Sequence, residues 1–256
     1  MPKPEADILL CSYRVSGRTW VRFMLSDCIA RARGWDREVD LTNCFEWIPN
    51  WSWSERTGWG VFQRERLGPL PVIAAAHDRF GPILRGHRIV WLYRDPMDIL
   101  TSRFSRRSPE LADADLARYL EVSSDALSYA EWINSWASGL EKHKDYCLLR
   151  YEDLIEDRGR EIVRLCDFCG VPLSETDLAS VVERGSLEAM RAIQNDAGVG
   201  GADEHRVREG GVRKFESKFG PEDRALLAHT LSGSLEPNAL GLLSRLGSAV
   251  TEYAGG

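Results

Sequence analysis

No uncharged apolar run in this chain is long enough to cross a bilayer. The longest, such as Ile8–Tyr13 and Ile89–Tyr93, fall far short of the roughly 20 residues that a spanning helix needs. The basic-then-apolar order of a secretory signal is missing too, because the chain opens Met1-Pro2-Lys3-Pro4-Glu5-Ala6-Asp7. A cytoplasmic protein is expected. Cysteine is sparse: six in 256 residues cannot make a disulfide scaffold, and in that compartment they would be reduced. Positive charge is not in excess. With 33 basic and 39 acidic side chains the net charge is −6, so the broad basic field that nucleic-acid binding needs is absent. A local anion site stays open. Repeats and low-complexity tracts are also lacking. The 43% apolar and 28% charged content excludes a disordered or fibrous chain.

The length suits one α/β domain, 1–256. Asp7–Tyr13 reads as a buried strand, and Thr19–Arg31 has helical spacing with a Gly-containing loop before it. Further strands are expected at Pro71–Ala76, His87–Tyr93 and Tyr146–Tyr151. Helices are expected at Pro96–Phe104, Leu116–His143, Arg158–Cys169, Glu175–Glu183, Leu187–Ala192, Pro221–Leu231 and Ala239–Tyr253. Gly34–Pro71 is irregular, and Asn195–Glu216 is a Gly-rich charged loop. Strands alternating with helices imply a doubly wound, mainly parallel sheet flanked by helices, whose ligands sit at the carboxyl ends of the strands. Cys166 and Cys169 form a CxxC pair on the apolar face of a helix with no second pair, so they are expected in the core.

Four segments carry candidate chemistry. Ser12–Trp20 joins the first strand to the first helix, aiming N–H groups and a helix N-terminus at one point, with Ser16, Gly17, Thr19, Arg14 and Arg18 around it. That is an anion site. It lacks the Gly-Lys-Ser/Thr ending of a Walker loop. Arg94 stands at the end of a strand, and Ser102 follows eight residues on, where both can meet a second phosphate. Arg150-Tyr151-Glu152-Asp153-Leu154 ends the fourth strand. Arg206–Phe215 is basic and Gly-rich.

In this order these segments resemble the sulfotransferases that use 3′-phosphoadenosine 5′-phosphosulfate. The family's Y-P-K-S-G-T-T-W is here YRVSGRTW, Tyr13–Trp20. Its Arg and Ser eight apart are Arg94 and Ser102, its Y-E-D-L is Tyr151–Leu154, and its R-K-G-x-x-G-x-W loop is loosely Arg208, Gly210 and Phe215. The resemblance implies a nucleotide-kinase-like α/β fold with this donor as co-substrate and no metal. Ser16–Thr19 would hold the 5′-phosphosulfate. Arg94, Ser102, Arg208 and Gly210 would hold the 3′-phosphate. Trp20 and Phe215 would lie near the adenine, with Tyr151 bonding beside it.

Two family cations are missing: the Lys before Ser-Gly is Val15, and the Lys two residues before the family's base is Ala75. Arg18, ahead of Arg14, is expected to supply the lost charge, since sulfuryl transfer, like phosphoryl transfer, rests on positioning and charge. His77 is the expected general base, with Glu46 and Glu55 as alternatives. The acceptor is a small molecule, apolar, aromatic or sugar-bearing, bound by segment 34–71, where five of the nine tryptophans fall. Trp47, Trp51 and Trp53 are its expected walls. Arg103, Arg106 and Arg107 either are solvated or meet an anionic acceptor, and segment 195–216 is the expected donor loop. The reading leaves room for a homodimer. A kinase-like phosphotransferase and a non-catalytic nucleotide-binding protein stay open beside it.

Overall fold

Four short strands with unbroken apolar sequence form the centre of this computed structural model, which describes residues 5–196 and 210–253. They are β1 (Ile8–Ser12), β2 (Ile73–Ala76), β3 (Arg88–Tyr93) and β4 (Tyr146–Arg150). All pair in parallel in the order β2-β1-β3-β4. Every residue of β1 and β2 is buried, as a parallel sheet covered on both faces requires. Helix α1 (Arg18–Ala32) follows β1, and a four-residue turn α2 (Arg64–Leu67) precedes β2. Next come α3 (Pro96–Phe104), α4 (Leu116–Val122) and α5 (Asp125–Leu140). After β4 run α6 (Tyr151–Glu156), α7 (Arg158–Cys169), α8 (Glu175–Arg184) and α9 (Leu187–Asp196). The last helices are α10 (Lys214–Lys218), α11 (Pro221–Ser232), α12 (Pro237–Arg245) and α13 (Ala249–Tyr253). One group packs α1 against α7 and α8, and another packs α5 against α3, α11 and α12. This is the expected doubly wound α/β fold.

Several boundaries differ from expectation for local reasons. Leu116–His143 is two helices, because Ser123 is extended (ψ 144°) and Asp125 restarts the helix with an acidic first turn. Ala239–Tyr253 breaks at Gly247, whose φ of 66° ends α12. The fourth strand stops at Arg150, and Tyr151 opens α6. Of the expected 195–216 loop, residues 195–196 belong to α9 and 214–216 to α10, while 197–209 lie outside the described residues.

The largest correction concerns segment 34–71. Its backbone pairs along the outer edge of β2: Trp51 N–H donates to Ala75 at 2.8 Å, and Ala75 N–H donates to Pro49 at 2.8 Å. The segment thus covers an exposed sheet edge, and Trp47 and Trp51 are buried in the core rather than lining a pocket. Trp53 is well exposed, at 56%, and Trp35 is exposed at 40%. All six cysteines are free and buried.

The tryptophans of α5 matter for the site. Trp136 stacks on Trp91 of β3 at 5.7 Å and 8°. Trp132 and Trp136 both donate their indole N–H to the Asp78 carbonyl, at 3.2 and 3.3 Å. They therefore fix the chain immediately after His77. Trp91→Ala is expected to lose about 3–5 kcal/mol, the range for a large buried aromatic, read from urea unfolding by circular dichroism; a loss below 1 kcal/mol would mean that this stack does not anchor the core.

Candidate donor and active site

The loop between β1 and α1 is shaped by two residues with positive φ. Gly17 (φ 91°) begins α1, and a Cβ there would lie 2.7 Å from the Tyr151 ring. Val15 (φ 68°) is a branched residue in left-handed backbone, a strain of roughly 1–2 kcal/mol. The turn directs the Val15 carbonyl to the Arg94 guanidinium at 3.1 Å. Helix α1 has no capping side chain and no acidic residue in its first turn, so its first N–H groups and positive dipole end are open to an anion. The Ser16 hydroxyl is buried there without a hydrogen-bond partner.

Arg94, at the end of β3, is 7% exposed. Besides Val15 it donates to the Gly211 carbonyl at 3.4 Å, lies 3.9 Å from Asp98, and covers the Tyr151 ring at 4.4 Å. Asp98 in turn accepts the N–H groups of Arg213 and Lys214 at 2.8 and 2.7 Å. Burial pushes its carboxyl up, against the opposing pull of Arg94. Asp95 caps α3 through Met97 N–H (2.8 Å) and also holds Ala249 N–H (2.7 Å). The Asp95 N–H is held by Glu152 at 2.9 Å. One cluster of side chains therefore joins the first loop, the strand end, α6 and the 210–214 turn.

Around this cluster lies a cavity of about 1290 Å³. Among the described residues its lining contains Arg18, Arg94, Arg106, Arg158, Arg191, Lys214 and Lys218, and no Asp or Glu. Gly17, Thr19, Trp20, His77, Ser102, Tyr151 and Gly210 line it as well. Trp20 is fixed by its N–H bond to Gly185 (2.8 Å) and an edge contact with Tyr151 (5.6 Å), and Arg158 lies 5.4 Å over its ring. Ile155, Leu187 and Met190 add apolar wall beside Trp20. Burial lowers the Arg158 pKa.

His77 Nδ1 meets the Ser12 carbonyl at 2.7 Å, which holds the proton on Nδ1 and leaves Nε2 as the acceptor. Burial, then the charge of Arg18, brings the imidazole from 6.5 down to about 4. It is therefore neutral, with a free lone pair, through the whole neutral range. Burial and neighbouring Arg22 bring Arg18 down to about 9, so it stays charged at pH 7.

Some expected site residues are elsewhere. Phe215 is fully buried, edge-on to Tyr253 at 5.9 Å, because α10 turns its ring inward. Arg14 is exposed and is not part of the lining. Arg208 lies outside the described residues. Trp53 lines a separate groove with Trp59 and Phe62. Glu46 is paired with Arg66. Arg103 is held by Asp125 at 3.0 and 2.5 Å, and Arg107 by backbone carbonyls, leaving Arg106 as the member of that trio that reaches the cavity. Sequence reasoning missed Arg158, Arg191 and Lys218, while Lys214 lay inside the basic Gly-rich segment Arg206–Phe215 without a role of its own. Of the three, only Arg158 carried a signal, four residues beyond Tyr-Glu-Asp-Leu. Sequence reasoning also named no partner for His77, which the Ser12 backbone carbonyl orients.

A sulfotransferase domain model matches residues 5–232. The chain is 23% identical over 197 residues to sulfotransferase 2A2 of Rattus norvegicus, covering 73% of this chain and 67% of that protein. It is 24% identical over 204 residues to sulfotransferase 2A1 of Homo sapiens, with the same coverage. The fold resembles retinol dehydratase in complex with androsterone and inactive cofactor PAP, with a TM-score of 0.65 at 18% identity over 92% of this chain and 82% of that one. It also resembles mouse sulfotransferase SULT7A1 with PAP, with a TM-score of 0.63 at 19% identity over 98% and 89%. Among the described residues no helix is long and apolar enough to cross a membrane.

Gly17→Ala would meet the Tyr151 ring and a backbone that rejects a Cβ. The expected outcome is at least a tenfold loss of nucleotide affinity by calorimetry, from about 1.4 kcal/mol or more of strain. Unchanged affinity would mean that the loop relaxes freely.

Proposed function

The chain belongs to the sulfotransferase domain family, and on that footing we propose that it moves a sulfuryl group from 3′-phosphoadenosine 5′-phosphosulfate to a small-molecule acceptor. The observation that carries this reading is the cavity: among the described residues its lining has seven cations and no carboxylate, with two anion cradles joined by an apolar stretch. The first cradle is the open N-terminus of α1 with Ser16, Gly17, Arg18 and Thr19, suited to the phosphosulfate. The second is Arg94, Ser102 and the Gly210 turn, suited to the 3′-phosphate, with Arg208 as a further ligand from the sequence pattern. Trp20, Ile155 and Leu187 offer the base apolar faces between them, with Tyr151 alongside. A donor carrying two separated anionic groups fits this arrangement better than a nucleoside triphosphate, whose charge is all at one end.

In the transfer, the acceptor oxygen or nitrogen forms a bond to sulfur as the bond from sulfur to the 5′-phosphate oxygen breaks. His77 Nε2 takes the acceptor's proton. Negative charge grows on the leaving phosphate oxygen, where Arg18 and the first N–H groups of α1 stabilise it. Arg18 thereby fills the role of the absent family Lys at Val15, and Arg14, outside the cavity, does not. An imidazole poised near 4 is a weak base, and its virtue is that no proton has to leave it before the reaction at pH 7. Retinol dehydratase, whose fold this chain resembles, forms complexes with androsterone and with retinol, which supports a small, largely apolar acceptor.

Calorimetric titration with adenosine 3′,5′-bisphosphate, with ATP and Mg²⁺ as the control, tests the reading. Micromolar or tighter binding of the bisphosphate and at least a hundredfold weaker binding of ATP are expected, a gap of about 2.7 kcal/mol. With labelled donor and a turned-over acceptor, Arg18→Ala should lose about 10³-fold in rate and Arg14→Ala less than about threefold. Preferential ATP binding with turnover would instead favour the phosphotransferase.

A further inference from the structure

Helices α12 and α13 lie beyond residue 232, where the family match ends, yet α13 reaches the turn that closes the cavity. That turn is conformationally demanding: Gly210, Gly211 and Arg213 have φ of 58°, 96° and 52°. Gly210 and Gly211 adopt such values freely, whereas an L side chain at Arg213 resists them. Three sets of contacts hold Arg213 there. Its N–H and that of Lys214 are bound by Asp98. Its guanidinium donates to Glu216 at 2.9 and 2.7 Å, one turn along α10, and to both carboxylate oxygens of Glu252 in α13, at 3.1 and 2.8 Å. Tyr253 closes the ring, its hydroxyl donating to Glu216 at 3.3 Å and its ring meeting Phe215 edge-on. The hydrogen bonds from Arg213, helped by its charge, hold both carboxyls below their ordinary value. An isolated exposed pair contributes little, but a two-pronged guanidinium in a network has fixed geometry.

We propose that Arg213 is a positioning residue for the donor, clasped by Glu252, so that the C-terminal helix α13 sets the Gly210–Gly211 turn against the 3′-phosphate. The assignment rests on the donor reading above. The clasp acts on one side of the turn, while Arg94, through the Gly211 carbonyl, acts on the other. Removing the clasp loosens the turn without removing a group that touches the ligand.

Full-length protein titrated with adenosine 3′,5′-bisphosphate and with adenosine 5′-phosphate tests this, with thermal unfolding by circular dichroism alongside. Arg213→Gly suits the left-handed backbone but deletes the guanidinium, Glu252→Gln removes the partner's charge, and Arg213→Lys restores charge at the same place. The glycine and glutamine variants are expected to bind the bisphosphate about fivefold more weakly while 5′-phosphate affinity stays within twofold, and lysine recovers part of the loss. Glu252→Gln carries the test if the glycine variant does not fold. Equal loss for both nucleotides, or no loss, overturns the proposal. Wild type that binds neither nucleotide removes the donor reading and this assignment with it.

Discussion

The structure of the site depends on where one guanidinium is buried. Arg94 has almost no contact with solvent, and each of its neighbours belongs to a different segment: the Val15 carbonyl, the Gly211 carbonyl, the Asp98 carboxylate and the Tyr151 ring. A buried cation is costly unless it is hydrogen-bonded and paired. The chain meets that requirement by bending two loops towards it, and the anion site is the result. The five-donor planar fork of arginine matters here, because two carbonyls and an aromatic face cannot be served by a point charge.

Backbone strain follows from the same requirement. Val15 and Arg213 both take left-handed conformations, and both adjoin carbonyls bonded to Arg94 or N–H groups bonded to Asp98. Strain of this kind persists where surrounding contacts over-determine it. The electrostatics follow as well. Burial first, and then the cations that face one another across the lining, brings Arg18 down to about 9 and His77 to about 4. A polyanion bound there relieves the repulsion among these cations, so the lining is complementary to negative charge.

Much of this was legible in the sequence. Asp7–Tyr13 and His87–Tyr93 read as strands, within a residue of β1 and β3, because buried parallel strands are unbroken apolar runs. Arg94 and Ser102 could be placed because a strand end and the helix after it have fixed geometry, and Asp95-Pro96 marks that helix's start. The tryptophans of segment 34–71 were misplaced for a physical reason: aromatic content shows that something is covered, but not whether it is a ligand or a sheet edge. Here it is the edge of β2, which Asn50 and Trp51 pair along. The fate of Phe215 likewise turns on which way a five-residue helix faces. Lys218 and Arg191 were invisible because a cation gains meaning only when distant helices bring it to one wall.

The most direct measurement is bisphosphate affinity in Arg94→Lys, with thermal stability measured on the same protein. The charge is kept and the planar fork is lost. If Arg94 organises both loops, affinity falls at least a hundredfold, about 2.7 kcal/mol, well beyond the effect of trading one phosphate-binding cation for another. If the lysine protein binds as the wild type does, positive charge alone suffices and the loops are ordered without Arg94.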